Sequence, residues 1–419
     1  MPSMSHPRGY LSSIVGASVA FGALVAVALV MKSRELPTLA PTLSREPLVT
    51  FSATPLSEAA IRDRDITFYI QRVKEDSTSA IDRLALAGLL YARARITGST
   101  SDLEQSEMLA RESVGIREAR NGQAYEVLAS TLMARHAFRE AHAVAVTADS
   151  LEPDTPSHLA LLGEIELELG DYDAAAAHFR AVHYDGTQFT IGARVARWYE
   201  VTGHVDIARE MLRRAIVSAD RRDDLPREQA AWFHYRLGEL ELRMGRVAAA
   251  ESSFVHGLRK NPEDVRILGG LARAALARGD WRHAADFGEQ AISIQLDPAT
   301  LGTISRAYAA LGDTAQAARY ADAMSRSALT QPGAIHRAWG QFLLDHGTPS
   351  DRADVLRRAR RELRDRHDVY GHDLLAWALY RNGYVEEAAA EMKLALSQHT
   401  EDTMLAEHGR ILAAAVATQ

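Results

Sequence analysis

Leu161–Phe179 reads LLGEIELELGDYDAAAAHF, and the fold follows from how this stretch is punctuated. Two helical runs meet at Gly170. Glycine ends a helix readily in the left-handed conformation, so the chain can reverse there and start a second helix against the first. The side chains agree with that reversal. Gly163, seven residues before the turn, is small where two helices must touch, and Ala175, five after it, is small for the same reason. Phe179, nine after it, supplies the bulk that fills the gap.

Outward from this stretch the same punctuation recurs. The turn position is occupied by Gly98, His136, Gly170, Gly203, Gly245, Gly279, Gly312, Gly347 and Gly383, at intervals of 38, 34, 33, 42, 34, 33, 35 and 36 residues. Seven residues before it stand Gly163, Ala196, Gly238, Ala272, Gly340 and Ala376; five after it stand Ala141, Ala175, Ala208, Ala250, Ala284, Ala317 and Ala388. Phe179, Leu212, Phe254 and Met392 hold the bulky position nine after it. A fixed period of this length is the signature of stacked supersecondary units. Before them, Ile61, Ile66, Tyr69, Ile70 and Val73 predict one more helix over about Ser57–Lys74.

The pattern resembles the tetratricopeptide repeat (TPR), a helix–turn–helix unit of about 34 residues. Its best copies are Leu161–Phe179, YRLGELELRMGRVAAAESSF at Tyr235–Phe254 and LAWALYRNGYVEEAAAEM at Leu375–Met392. The resemblance runs from about Thr78 to the carboxyl end, roughly nine units, and implies an all-α, TPR-like right-handed α-solenoid over 57–419, closed by Met404–Val416. Three places depart from it. STSDLEQSEM after Gly98 reads as an insertion, ADRRDDLPRE at Ala219–Glu228 as a longer helix end and loop that could be a contact tip, and TPSDRADV after Gly347 replaces the usual alanines.

The amino-terminal part is different. After a tail at 1–10, Leu11–Met31 reads LSSIVGASVAFGALVAVALVM, uncharged and long enough to cross the hydrocarbon core as a signal anchor. A cleaved secretory signal ending near Ala26-Val27-Ala28 is the competing reading. Ser12, Gly16 and Ala20 form one small-residue stripe along it, and Ser18, Gly22 and Ala26 a neighbouring one, as helices packing in a membrane require. Residues 32–56 form a linker dotted with Pro37, Pro41, Pro47 and Pro55. The short tail and this linker favour a body outside the cytoplasm, periplasmic in a bacterium.

Composition narrows the chemistry. With 48 basic and 55 acidic residues the net charge is −7, which excludes a globally basic nucleic-acid binder. No cysteine is present, so disulfides, thiolate metal sites and cysteine nucleophiles are excluded. No dinucleotide or phosphate-cradling glycine loop, HExxH or GxSxG occurs. Sixteen histidines are present, but the pairs His178/His183 and His367/His372 are five apart, off the helical ligand spacing, and read as surface or helix-end residues. No catalytic residue, cofactor, metal or small-molecule substrate is expected. DRADVLRRARRELRDRHD at Asp351–Asp368 reads as a solvated, salt-bridged helix. Trp377, Tyr380, Tyr384 and Tyr370 read as core, or as a docking patch.

The resemblance also implies that the first helix of each unit lines a concave groove. Arg197, Arg273 and Arg306 lie six residues before their turns, and Arg194 and Arg236 nine before theirs. Regular stacking would converge Arg194, Arg197, Arg236, Arg273 and Arg306 along that groove to receive an acidic segment of a partner. The competing reading is that Glu164, Glu200 and Glu239 neutralise them. The function expected is a non-enzymatic, membrane-anchored scaffold: an accessory or stabilising subunit of a membrane protein complex, a bioenergetic complex being one host. Its partners would be membrane-complex subunits and, through 11–31, the bilayer. The alternative is an envelope-assembly, secretion or chaperone-like adaptor with transient clients.

Overall fold

The computed structural model describes residues 57–184, 188–329 and 336–418. The expected membrane helix with Ser12, Gly16, Ala20 and Gly22, and the linker after it, lie outside the described residues. Among the described residues there are twenty helices and no strand, and no helix is long and apolar enough to cross a membrane.

Each turn position separates two packed helices, giving nine hairpins: α2 (Ala80–Thr97) with α3 (Thr100–Ile116), α4 (Gly122–Ala134) with α5 (Phe138–Leu151), α6 (Pro156–Leu169) with α7 (Tyr172–Ala181), α8 (Phe189–Val201) with α9 (Val205–Asp220), α10 (Arg227–Arg243) with α11 (Val247–Lys260), α12 (Val265–Arg278) with α13 (Trp281–Ile294), α14 (Pro298–Ala310) with α15 (Thr314–Leu329), α16 (Arg337–His346) with α17 (Pro349–Glu362), and α18 (Val369–Arg381) with α19 (Val385–Ala395). They are flanked by α1 (Glu58–Glu75) and α20 (Thr403–Ala417). The architecture is an all-helical, TPR-like solenoid.

The local cause is visible at Gly170. Its φ is 83°, its N–H bonds Leu167 O, and the Asp171 N–H reaches back to Glu166 O at 2.9 Å, which satisfies helix-end carbonyls. Asp171 then caps α7 by accepting from the Ala174 N–H. The same five-residue return closes six other turns, from Ala137 to Leu132, His204 to Tyr199, Arg246 to Glu241, Asp280 to Ala275, Asp313 to Tyr308 and Tyr384 to Leu379. Small residues meet bulk as their spacing implies. A Cβ on Gly163 would lie 2.7 Å from the Phe179 ring, and one on Gly270 2.7 Å from Phe254, whose other side meets Gly238.

The three departures have physical accounts. STSDLEQSEM is the start of α3, capped by Ser99, so it is ordinary helix and not an insertion. Ala219–Glu228 ends α9, loops, and begins α10, and its end is bound to α1 of the same chain: the backbone N–H groups of Arg227 and Glu228 donate to the Glu58 carboxylate, and Glu228 pairs with Arg62 at 2.7 Å. Gly347 is not left-handed, with φ −78°; Thr348 and Asp351 form a capping box that starts α17 at Pro349 instead.

The solenoid curls until distant hairpins touch. Gly98 lies against Gln295. His367 N–H donates to Leu169 O at 3.0 Å, and Val369 N–H to the Tyr172 hydroxyl at 2.7 Å. Thr400 Oγ1 donates to Val201 O, and Thr403 Oγ1 to Arg243 O at 3.0 Å. Arg366 pairs with Glu168 at 2.7 Å, and Arg139 with Asp365 at 2.9 Å. The start of α18 and the start of α20 are thereby fixed on the turns of α6–α7 and α8–α9 and on the end of α10. We call this contact the clasp.

Candidate functional site

Curling converts part of the inner groove into a cavity of about 860 Å³. Tyr91 and Arg95 on α2 and Met133, His136 and Phe138 of the second hairpin line one side; Arg194 and Arg197 on α8 and Trp232, Phe233 and Arg243 on α10 line another. His336, Arg337, Arg366 and Tyr370, from the clasped part, complete it.

The wall is polar because the first helices carry both signs. Arg194 meets Glu164 at 2.8 Å, and Arg273 grips Glu239 through two bonds of 2.7 and 3.1 Å. At Glu200 the pairing is not one to one. This buried carboxylate is approached by Arg197 at 3.0 Å, Arg236 at 3.3 Å and Arg243 at 2.8 Å. Burial alone would raise its pKa, but Arg243, Arg197 and Arg236 more than offset that and hold it at about 2. Arg236 sits below the ordinary arginine value, pushed there by burial with Arg243 and Arg197 beside it.

The clasp brings a second cluster against the first. Two guanidinium groups approach the Tyr370 ring, Arg197 at 5.2 Å from its centroid and Arg337 at 4.5 Å. Arg337 pairs with Asp373 at 2.7 Å and Asp402 at 3.3 Å, and the other Asp373 oxygen bonds His408 at 2.7 Å. His408 in turn stacks on Trp377, centroids 4.1 Å apart.

Of the five arginines expected in the groove, Arg194 and Arg197 line the cavity, Arg236 is half-buried against Glu200, and Arg273 is held by Glu239. Arg306 is exposed and makes no ion pair among the described residues. The structure therefore brings together three of them, not five. Arg95, Trp232, Arg243, Arg337 and Tyr370 were not singled out for the groove from the sequence, because only the curl places them on one cavity.

Of the two histidine pairs, His183 and His367 are exposed and His178 is half-buried in the last turn of α7, in keeping with the surface or helix-end reading, whereas His372 is buried. His158, His234, His372 and His408 are buried, and His158 pairs with Glu126, His372 with Glu391 and His408 with Asp373. Among the described residues no group of three or more His, Asp or Glu could hold a metal ion. Arg357 and Arg358 pair with Asp354 within the expected salt-bridged helix, whereas Asp365, Arg366 and Asp368 beyond its end serve the clasp. Tyr370 and Trp377 are buried, while Tyr384 is exposed beneath Arg360.

The chain carries tetratricopeptide repeats: the family model described as Tetratricopeptide repeat matches residues 127–185 and 235–299. No curated protein matches it. Among solved structures it is similar to an IFIT1 monomeric mutant with m7Gppp-AAAA, the IFIT1 of related structures being human, at 14% identity and TM-score 0.52, covering 80% of this chain and 76% of that one. It is likewise similar to a chain of the APC/C hetero-tetramer Cut9–Hcn1, at 14% identity and TM-score 0.51. That match covers 85% of this chain but spans only 59% of its relative. Both likenesses concern the fold.

Proposed function

We propose that this protein is a non-enzymatic, partner-binding array that holds another protein through the inner face of its solenoid. Proteins built of this repeat generally mediate protein–protein contact. The observation that carries the reading here is the cavity, whose walls alternate guanidinium groups with Tyr91, Trp232, Phe233 and Tyr370. Aromatic and arginine side chains are those that contribute most at protein interfaces. In the same reading 11–31 anchors the array in a membrane, its body on the extracytoplasmic side, as an accessory subunit of a larger membrane complex.

The test is purification of the full chain from membranes in gentle detergent, with the mass of the intact assembly measured. The reading expects a co-purifying protein in stoichiometric amount. Sub-stoichiometric clients that change with growth conditions would favour the transient adaptor instead. A chain recovered from the soluble fraction, alone and monomeric, would contradict both.

A further inference from the structure

We infer that the cavity receives an acidic peptide segment of the partner, carboxylates alternating with aromatic or aliphatic residues; this rests on the partner-binding reading above and narrows it. Three observations support it. Three guanidinium groups share the single carboxylate of Glu200, so this edge of the cavity holds more positive than negative charge. Arg243 lines the cavity, and its Nε–H is buried with no acceptor among the described residues, so Glu200 leaves this guanidinium incompletely satisfied. Finally, Arg95 enters from the first hairpin with no ion pair among the described residues and lies over Trp232 at 5.5 Å and Tyr91 at 5.9 Å. A guanidinium whose neighbours are aromatic rings keeps its N–H groups for a carboxylate.

The shape of the charge decides which anion. Seven arginines and four glutamates face the cavity. A nucleic-acid strand carries a charge on every residue and would meet those glutamates repeatedly. A peptide can place a carboxylate at Arg95 or Arg243 and an apolar side chain on Trp232 or Tyr370 between them. The interspersed wall matches an interspersed ligand.

The experiment is fluorescence anisotropy with the full chain in detergent and three labelled probes: a short peptide alternating glutamate and phenylalanine, the same peptide with glutamine for glutamate, and a short oligouridine. The glutamate peptide should bind saturably, with affinity falling roughly tenfold for the glutamine peptide and falling with added salt. Arg95→Ala should weaken it by roughly fivefold with only a small change in Tm, because Arg95 holds no ion pair among the described residues and its ring contacts are long. Arg243→Lys, which keeps the charge and shortens the fork, should weaken it as well. Equal binding of the two peptides, no saturable binding, or tighter binding of the oligouridine would overturn the inference. A partner that co-purifies while the peptide fails would leave the scaffold standing and remove only this site; a peptide that binds while no partner co-purifies would do the reverse.

Discussion

Gly170 and Gly312 occupy the same position in the repeat, adopt the same φ of 83°, and do different work. At Gly312 a Cβ would meet open space, so the residue is needed only for its backbone. At Gly170 a Cβ would be driven into the His367 carbonyl, and at Gly203 it would come within 2.5 Å of the His399 oxygen. These two glycines end their helices and also seat a distant part of the chain. A repeat position thus carries two kinds of information: the period specifies the hairpin, and the missing side chain at particular copies permits the clasp.

The comparison can be broken at several points. The largest effect should come from the stack itself. Phe254 is fully buried between Gly238 and Gly270, and Phe254→Ala should cost about 3–5 kcal/mol in chemical denaturation, with no dependence on whether the clasp is closed. Next come the paired glycine substitutions. Gly312→Ala should cost about 1 kcal/mol, the strain of a left-handed alanine. Gly170→Ala should cost roughly 2–3 kcal/mol, because the Leu169, Tyr172 and Glu168 contacts to 366–369 are disturbed too. Equal costs would mean that the clasp contributes nothing.

Acid should weaken the groove through Glu200. Its folded pKa of about 2 lies below the ordinary 4.5, so its contribution is present above about pH 4.5 and is lost as pH falls from there toward 2. The amount is on the order of 3 kcal/mol, read as the pH dependence of unfolding free energy, and Glu200→Gln should flatten that part of the curve. A smaller change, about 1 kcal/mol, is expected for Tyr172→Phe, which removes the hydroxyl that accepts from Val369. Arg306→Ala should stay within about 0.5 kcal/mol, since this exposed arginine has no ion partner among the described residues.

Hairpins were legible in the sequence because each needs only local signals: a turn glycine, an alanine five residues on, a bulky residue nine on. That reading even located the irregular unit at Gly347, though not its remedy, the capping box of Thr348 and Asp351. The site was legible only in part. Spacing placed Arg194, Arg197, Arg236 and Arg273 on inner helices and marked Glu164, Glu200 and Glu239 as their neutralising partners: Arg194 pairs with Glu164, Arg197 and Arg236 with Glu200, and Arg273 with Glu239. It could not find Arg337 or Tyr370. Their place at the cavity depends on the curvature summed over many hairpins, a quantity no single repeat contains. Arg306 failed for the same reason, since curvature sets where the groove stops being a cavity.

Closure of the array on itself can be read from amide hydrogen exchange at His367 and Val369. His367 precedes α18 and Val369 is its first residue, so neither N–H has a partner within that helix. Their acceptors are Leu169 O and the Tyr172 hydroxyl across the clasp. The account predicts strong protection at both amides, lost together in Gly170→Ala but kept in Gly312→Ala. Exchange at the rate of an unstructured peptide in the unaltered protein would contradict it.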